Sequence, residues 1–88
     1  MTIKLNTHNT LFLKDFSKDL NRLSPLEKNR TKTKLKEILE NNKKANIKKL
    51  KNYPLAMYRL KISNYRLLFN FKDGKAIFTY CKNRRDLY

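Results

Sequence analysis

An α+β fold is what the hydrophobic patterning of the chain predicts. After a short alternating start, apolar residues recur at three- and four-residue intervals, and after Tyr53-Pro54 the period returns to two. Turn signals at Ser63-Asn64 and Asp73-Gly74 divide this last part into three strands. The expected architecture is an N-terminal strand, a two-helix hairpin and a three-stranded antiparallel meander, forming a small sheet within a single domain over residues 1–88. A chain of this length has room for one core, two layers thick.

Taken in order, residues 2–6 alternate, with Ile3 and Leu5 on one side and Thr2, Lys4 and Asn6 on the other, which predicts a short strand. Phe12, Phe16, Leu20 and Leu23 then form one helical stripe opposite Lys14, Lys18 and Asn21, with Asn9 or Thr10 as the cap. Ser24-Pro25-Leu26-Glu27 combines a capping Ser, a Pro at the first helical position and a Glu three residues after the cap, so a second helix should run from Pro25 to about Glu40. Its stripe of Leu26, Leu35, Ile38 and Leu39 thins in the middle, where Asn29, Arg30, Lys32, Lys34 and Lys36 dominate. Residues 41–52 read as a basic connector tethered by Ile47 and Leu50.

The three strands follow from alternation. Tyr58, Leu60 and Ile62 share one face; so do Tyr65, Leu67, Phe69 and Phe71, and then Ala76, Phe78 and Tyr80. With Ser63-Asn64 as a two-residue turn, Ile62 pairs with Tyr65, Leu60 with Leu67 and Tyr58 with Phe69. Lys61 then stands opposite Arg66, and Arg59 opposite Leu68, on the other face. With Asp73-Gly74 as the second turn, Phe69 pairs with Phe78, Leu67 with Tyr80 and Arg66 with Cys81, so the tail carrying Arg84, Arg85 and Tyr88 leaves the sheet beside this patch. A bulge would exchange the directions of Arg84 and Arg85.

Charge narrows the class of partner. Twenty-two Lys and Arg against seven Asp and Glu leave a net charge of +15, which attracts nucleic acid, an anionic membrane or an acidic protein. Lysine is also frequent in proteins encoded by AT-rich genomes, so placement carries more than number. Like charges facing each other across a sheet are destabilising, and no acid occurs between Glu40 and Asp73 to neutralise Arg59, Lys61 and Arg66. An anionic ligand is the simplest missing partner. One His, one Cys and one Gly leave no zinc constellation and no Gly-rich phosphate loop, so no metal or cofactor is expected. A lone cysteine, without a signal peptide or a membrane-spanning apolar run, points to a cytoplasmic protein. His8 reads as a surface or capping residue, and Cys81 as a small packing residue at a strand edge.

The run KKLKNYPLAMYRLKISNYRLLFNFKDGKAIFTYCKNRRDLY, residues 48–88, resembles the C-terminal half of RelE-like toxins of the RelE/ParE superfamily. Those proteins carry a Tyr-Arg-hydrophobic-basic strand, a Tyr-Arg-hydrophobic-hydrophobic-Tyr/Phe strand and an ending close to His-Arg-Arg-Glu-Val-Tyr. The resemblance covers residues 48–88 in detail and the strand–helix–helix opening in layout. It implies a toxin of a type II toxin–antitoxin system that cleaves mRNA in the ribosomal A site. Its partners would be the ribosome, mRNA and an acidic antitoxin. The resemblance maps the catalytic set onto Arg59, Lys61, Arg66, Arg84 and Tyr88. Lys48, Lys49, Lys51 and Arg85 are further candidates for RNA contact. Asn83 stands where many relatives have His, and no acid lies near Leu50 where the YoeB-type branch places a catalytic Glu, so a carboxylate–imidazole pair is not available.

A metal-independent ribonuclease must move a proton off the 2′-OH, protonate the leaving oxygen and neutralise the transition state. Arg59 and Arg66 suit the phosphate, Lys61 or Tyr88 the base, and Arg84 the leaving 5′-oxygen. Two alternatives stand beside this reading, the first of which shares the fold. One is a ParE-like inhibitor of DNA gyrase; the other is a non-catalytic basic nucleic-acid-binding protein that stacks bases on Tyr53 and Tyr58.

Overall fold

In a computed structural model, residues 3–41 and 43–87 are described, Asp86 and Leu87 for their backbone alone. The order is β1 (Thr10–Phe12), α1 (Lys14–Asn21), α2 (Pro25–Asn41), β2 (Ile47–Lys49), β3 (Tyr58–Ile62), β4 (Tyr65–Lys72), β5 (Lys75–Asn83) and a one-turn α3 (Arg84–Leu87). The strands form one mixed sheet in the order β1-β5-β4-β3-β2, antiparallel except for the parallel pair β1–β5. The expected meander is therefore the centre of a five-stranded sheet, widened by one short strand on each side.

The start of the chain departs from expectation. Thr2 lies outside the described residues, and residues 3–6 pair with no strand, although Leu5 is buried. The polypeptide instead turns over residues 6–9, where Asn6 Oδ1 accepts the N–H groups of His8 and Asn9, both at 2.9 Å, and Asn9 Nδ2 donates to the Lys4 carbonyl at 2.9 Å. Residues 10–12 take the free edge of β5, flanked by hydrogen bonds from Ala76 N–H to Asn9 O and from Leu13 N–H to Phe78 O. Asn9 and Thr10 are accordingly not caps. α1 starts after Leu13, which makes no side-chain capping bond. The four-residue spacing of Phe12 and Phe16 survives because the strand turns directly into the helix and stacks the two rings at 5.2 Å.

α2 begins as read: Ser24 Oγ accepts the Glu27 N–H at 3.3 Å. Its buried stripe is Thr31, Leu35, Ile38 and Leu39, whereas Leu26 is 60% exposed. Thr31 continues the buried stripe through the middle of the helix, and its buried hydroxyl has no hydrogen-bond partner. Both long helices lie on one side of the sheet. The core is packed between them, with Phe16, Leu20, Leu35, Ile38 and Leu39 meeting Leu60, Ile62, Leu67, Phe69, Phe78 and Cys81.

Part of the basic connector is ordered as a strand: Ile47–Lys49 pairs with β3 and places Ile47 opposite Leu60. The β3–β4 register is the expected one throughout, from Ile62↔Tyr65 to Tyr58↔Phe69. In β4–β5 the expected Phe69↔Phe78 pair is present, but beyond it the register shifts by one at Leu68/Phe69. Thr79 is the extra residue, and its Oγ1 donates to the Leu68 carbonyl at 3.3 Å. Leu67 therefore faces Cys81 rather than Tyr80, and Arg66 faces Lys82 rather than Cys81. Bulges of this kind re-aim every later side chain. Cys81 enters the core at 5% exposure instead of sitting at a strand edge. No helix among the described residues is long and apolar enough to cross a membrane.

Candidate functional site

The sheet face turned away from the long helices carries two neighbouring rows. One runs Lys48, Arg59, Leu68, Tyr80 across β2, β3, β4 and β5; the next runs Lys61, Arg66, Lys82 across β3, β4 and β5. Directly opposed residues have Cβ atoms roughly 4.5–5.5 Å apart, so the second row sets three cations side by side. Five cations occupy the two rows.

Arg66 is nearly enclosed: only 7% of its surface is accessible. Its Nη1 donates to the carbonyls of Ser63 and Tyr65, each at 3.2 Å, and its Nε is buried without an acceptor. Among the described residues no carboxylate lies within ion-pairing distance of it; the pairs present are Lys36–Glu40, Lys43–Glu37 and Lys82–Asp19. A buried charge ordinarily has a counter-charge. Here two neutral carbonyls stand in for one, and two further cations flank the guanidinium. The arrangement favours an anion strongly.

Arg59 is half-buried and reaches sideways, its Nη1 donating to the backbone and side-chain oxygens of Asn46 at 3.4 Å, while its Nε has no acceptor. Lys61 is exposed. Lys82, which the sequence reading missed, enters the row only because of the bulge at Thr79. Threonine carries no glycine-like bulge signal, so the register shift left no local mark. The ammonium of Lys82 lies 5.2 Å from the centre of the Tyr80 ring and 3.8 Å from Asp19 Oδ2, and that same Asp19 oxygen accepts the Cys81 N–H at 3.1 Å. α1 thus holds the shifted end of β5 in place.

Of the other expected residues, Lys48 joins the patch beside Arg59, Lys49 projects to the opposite face and Lys51 lies in the loop after β2. Arg84 and Arg85 are both exposed at the start of α3, where the Arg84 N–H donates to Asn64 O at 2.8 Å. With Asn64 and Asn83 they line a polar recess of about 470 Å³ at the same end of the sheet as Arg66. Tyr88 lies outside the described residues.

Two titratable neighbours are inert. Burial, reinforced by Asp19 and opposed by Lys82, pushes the Cys81 thiol up to about 12. Burial, with smaller contributions from Glu27 and Cys81, also raises the Tyr65 phenol. Neither ionises near neutrality. No three His, Cys, Asp or Glu side chains among the described residues cluster to hold a metal ion. The chemistry this surface offers is electrostatic: oriented, always-charged donors around a point that lacks a counter-ion.

No protein-family profile matches the chain, and no curated protein does. Among solved structures the chain is similar to a chain of the RelB–RelE antitoxin–toxin complex from Methanococcus jannaschii, with 31% identity over 89% of this chain and 94% of that one, at a TM-score of 0.66. Shared identity and shared topology over nearly the whole length of both chains place the protein in the RelB–RelE toxin–antitoxin family.

Proposed function

We propose that this chain is the toxin of its pair, an endoribonuclease that cleaves mRNA on the ribosome and is restrained by an acidic antitoxin. The observation that carries the reading is the buried Arg66 guanidinium, flanked by Lys61 and Lys82, with no carboxylate partner among the described residues. A net charge of +15 also suits the component that meets RNA and is neutralised by an acidic partner.

In this mechanism the 2′-oxygen attacks the adjacent phosphorus as its proton passes to a base, Lys61 or Tyr88. The P–O5′ bond then breaks, and the 5′-oxygen takes up a proton, leaving a 2′,3′-cyclic phosphate and a 5′-hydroxyl. Arg66 and Arg59 hold the phosphate oxygens, and Lys82 adds to the field that stabilises the extra negative charge of the transition state. Arg84, on the rim, serves the leaving oxygen.

Primer extension on a translated message, run beside a gyrase cleavage assay, tests this. Cuts in the message are expected with wild type. Tyr88→Phe should slow cutting while keeping ribosome binding, and Tyr88→Ala should impair both. An intact message with double-stranded DNA breaks would replace this reading with gyrase inhibition, and an intact message and DNA despite tight RNA binding would leave a non-catalytic binder.

A further inference from the structure

The cationic surface does not end at the sheet. Beside the β3–β4 turn, the C-terminal half of α2 and the segment leading into β2 enclose a small cleft of about 220 Å³, with Lys34, Lys43, Lys44 and Lys61 at its mouth and Ile38 and Ile62 on its floor. Glu37 also lines it, but its carboxylate is paired with Lys43 at 3.8 Å. Among the described residues Lys34, Lys44 and Lys61 take part in no ion pair. The cleft is smaller than the roughly 300–1,000 Å³ of small-molecule sites, which suits a phosphate group on a passing strand better than a whole ligand.

Ser63 joins this cleft to the patch. Its carbonyl accepts from the Arg66 guanidinium at 3.2 Å, and its hydroxyl is 3.3 Å from Lys34 Nζ. It does so at φ 53°, a left-handed backbone that a residue with a Cβ rarely adopts. Lys61 lines the cleft and also stands opposite Arg66, so one run of positive charge continues from the sheet face over the edge of β3.

We propose that this cleft is a second phosphate subsite, which holds the backbone of the same RNA strand at the nucleotide next to the one engaged by Arg66. The assignment rests on the ribonuclease reading above. Lys34 and Lys44 bind the neighbouring phosphate, Ser63 sets Lys34 at a fixed distance from Arg66, and Lys61 lies between the two positions. The subsite orients the strand and takes no part in bond breaking.

The test compares Lys34→Ala/Lys44→Ala with Lys14→Ala/Lys18→Ala, which removes the same charge from exposed positions on α1. Binding of a uridine dinucleotide, with one phosphodiester, and of a longer oligouridylate is measured across a salt series. Losing one phosphate contact lowers the single-strand salt slope by about 0.7. That drop is expected for the longer strand with the Lys34/Lys44 variant alone, while the dinucleotide is unaffected. KM for cleavage should rise with kcat unchanged. Ser63→Gly, which suits the φ and deletes the hydroxyl, should weaken the longer strand in the same sense. Equal slope changes in both lysine pairs, or equal weakening of the dinucleotide, would overturn the subsite and leave the ribonuclease reading intact. A wild-type protein that binds neither RNA would overturn the subsite, whereas an intact translated message in primer extension would overturn the ribonuclease reading.

Discussion

Replacing Arg66 by Met should stabilise the fold while sharply slowing the proposed cleavage. Methionine keeps an unbranched stem of similar reach, so the packing beside Leu68 is preserved and only the charged head is removed. What is lost is a pair of 3.2 Å contacts, one to the carbonyl of Ser63 in the exposed turn, where water can replace the donor, and one to that of half-buried Tyr65 at the start of β4. What is relieved is a buried cation facing Lys61, a like-charge pair unfavourable by a few tenths of a kcal/mol, with a smaller share from Lys82, whose charge Asp19 already offsets. Exchanging buried ionic groups for apolar ones of similar volume is often neutral or stabilising by about 1–4 kcal/mol. A gain at the lower end of that range raises Tm by roughly 4–8 °C for a domain of this size. Part of the gain should fade at high salt as the repulsion is screened. Cleavage should fall on the order of a hundredfold or more, since one oriented donor at a transition state contributes about 2.7–4 kcal/mol. Thermal denaturation at low and high salt, paired with primer extension, measures both. A fall of several degrees in Tm at either salt would show that the guanidinium is a structural clasp, refuting the idea of a charge held against its own stability.

Three further outcomes follow from the packing. Because the Cys81 thiol is raised to about 12 in the folded protein, the stability it contributes is complete below its ordinary range near 9 and is lost as pH climbs from there towards 12; Cys81→Ala should flatten that part of a pH–stability curve. Thr31→Val keeps the shape of the buried side chain and removes a hydroxyl without a partner, so denaturant unfolding should show a gain of about 1 kcal/mol or more. Asp19→Ala removes a charged acceptor from the Cys81 N–H, at a cost of roughly 1.5–3 kcal/mol, and should speed amide exchange at Cys81, whereas Asp19→Asn should retain most of the protection.

The central hairpin was readable because a two-residue turn fixes register and period two then assigns every face; the pairs from Ile62↔Tyr65 to Tyr58↔Phe69 followed from Ser63-Asn64 alone. The start of α2 was equally local, resting on Ser24 and Pro25. The flanking strands were not readable. Thr10–Phe12 acquires its partner across more than sixty residues of chain, and Ile47–Lys49, set in a polar run, has one apolar residue of its own. Parallel and edge pairings of three residues leave no periodic trace. Arg59, Lys61 and Arg66 were legible as one face, whereas Lys82 was hidden by the bulge, and the burial of Arg66 depends on how its side chain folds back onto the turn.

The parallel pairing of β1 with β5 also governs when the charged face can assemble during synthesis. The first strand to leave the ribosome can hydrogen-bond only to the last strand of the sheet, and Phe12 and Phe16 must wait for Phe78 before their rings have a common neighbour. Helices can form early, but closing the core requires a contact of very long sequence separation, which slows folding. A nascent chain that stops before residue 75 has neither the β5 edge nor Lys82, so it exposes apolar surface without a complete cationic row. Vectorial synthesis thereby delays assembly of the charged face until β5 itself has been made.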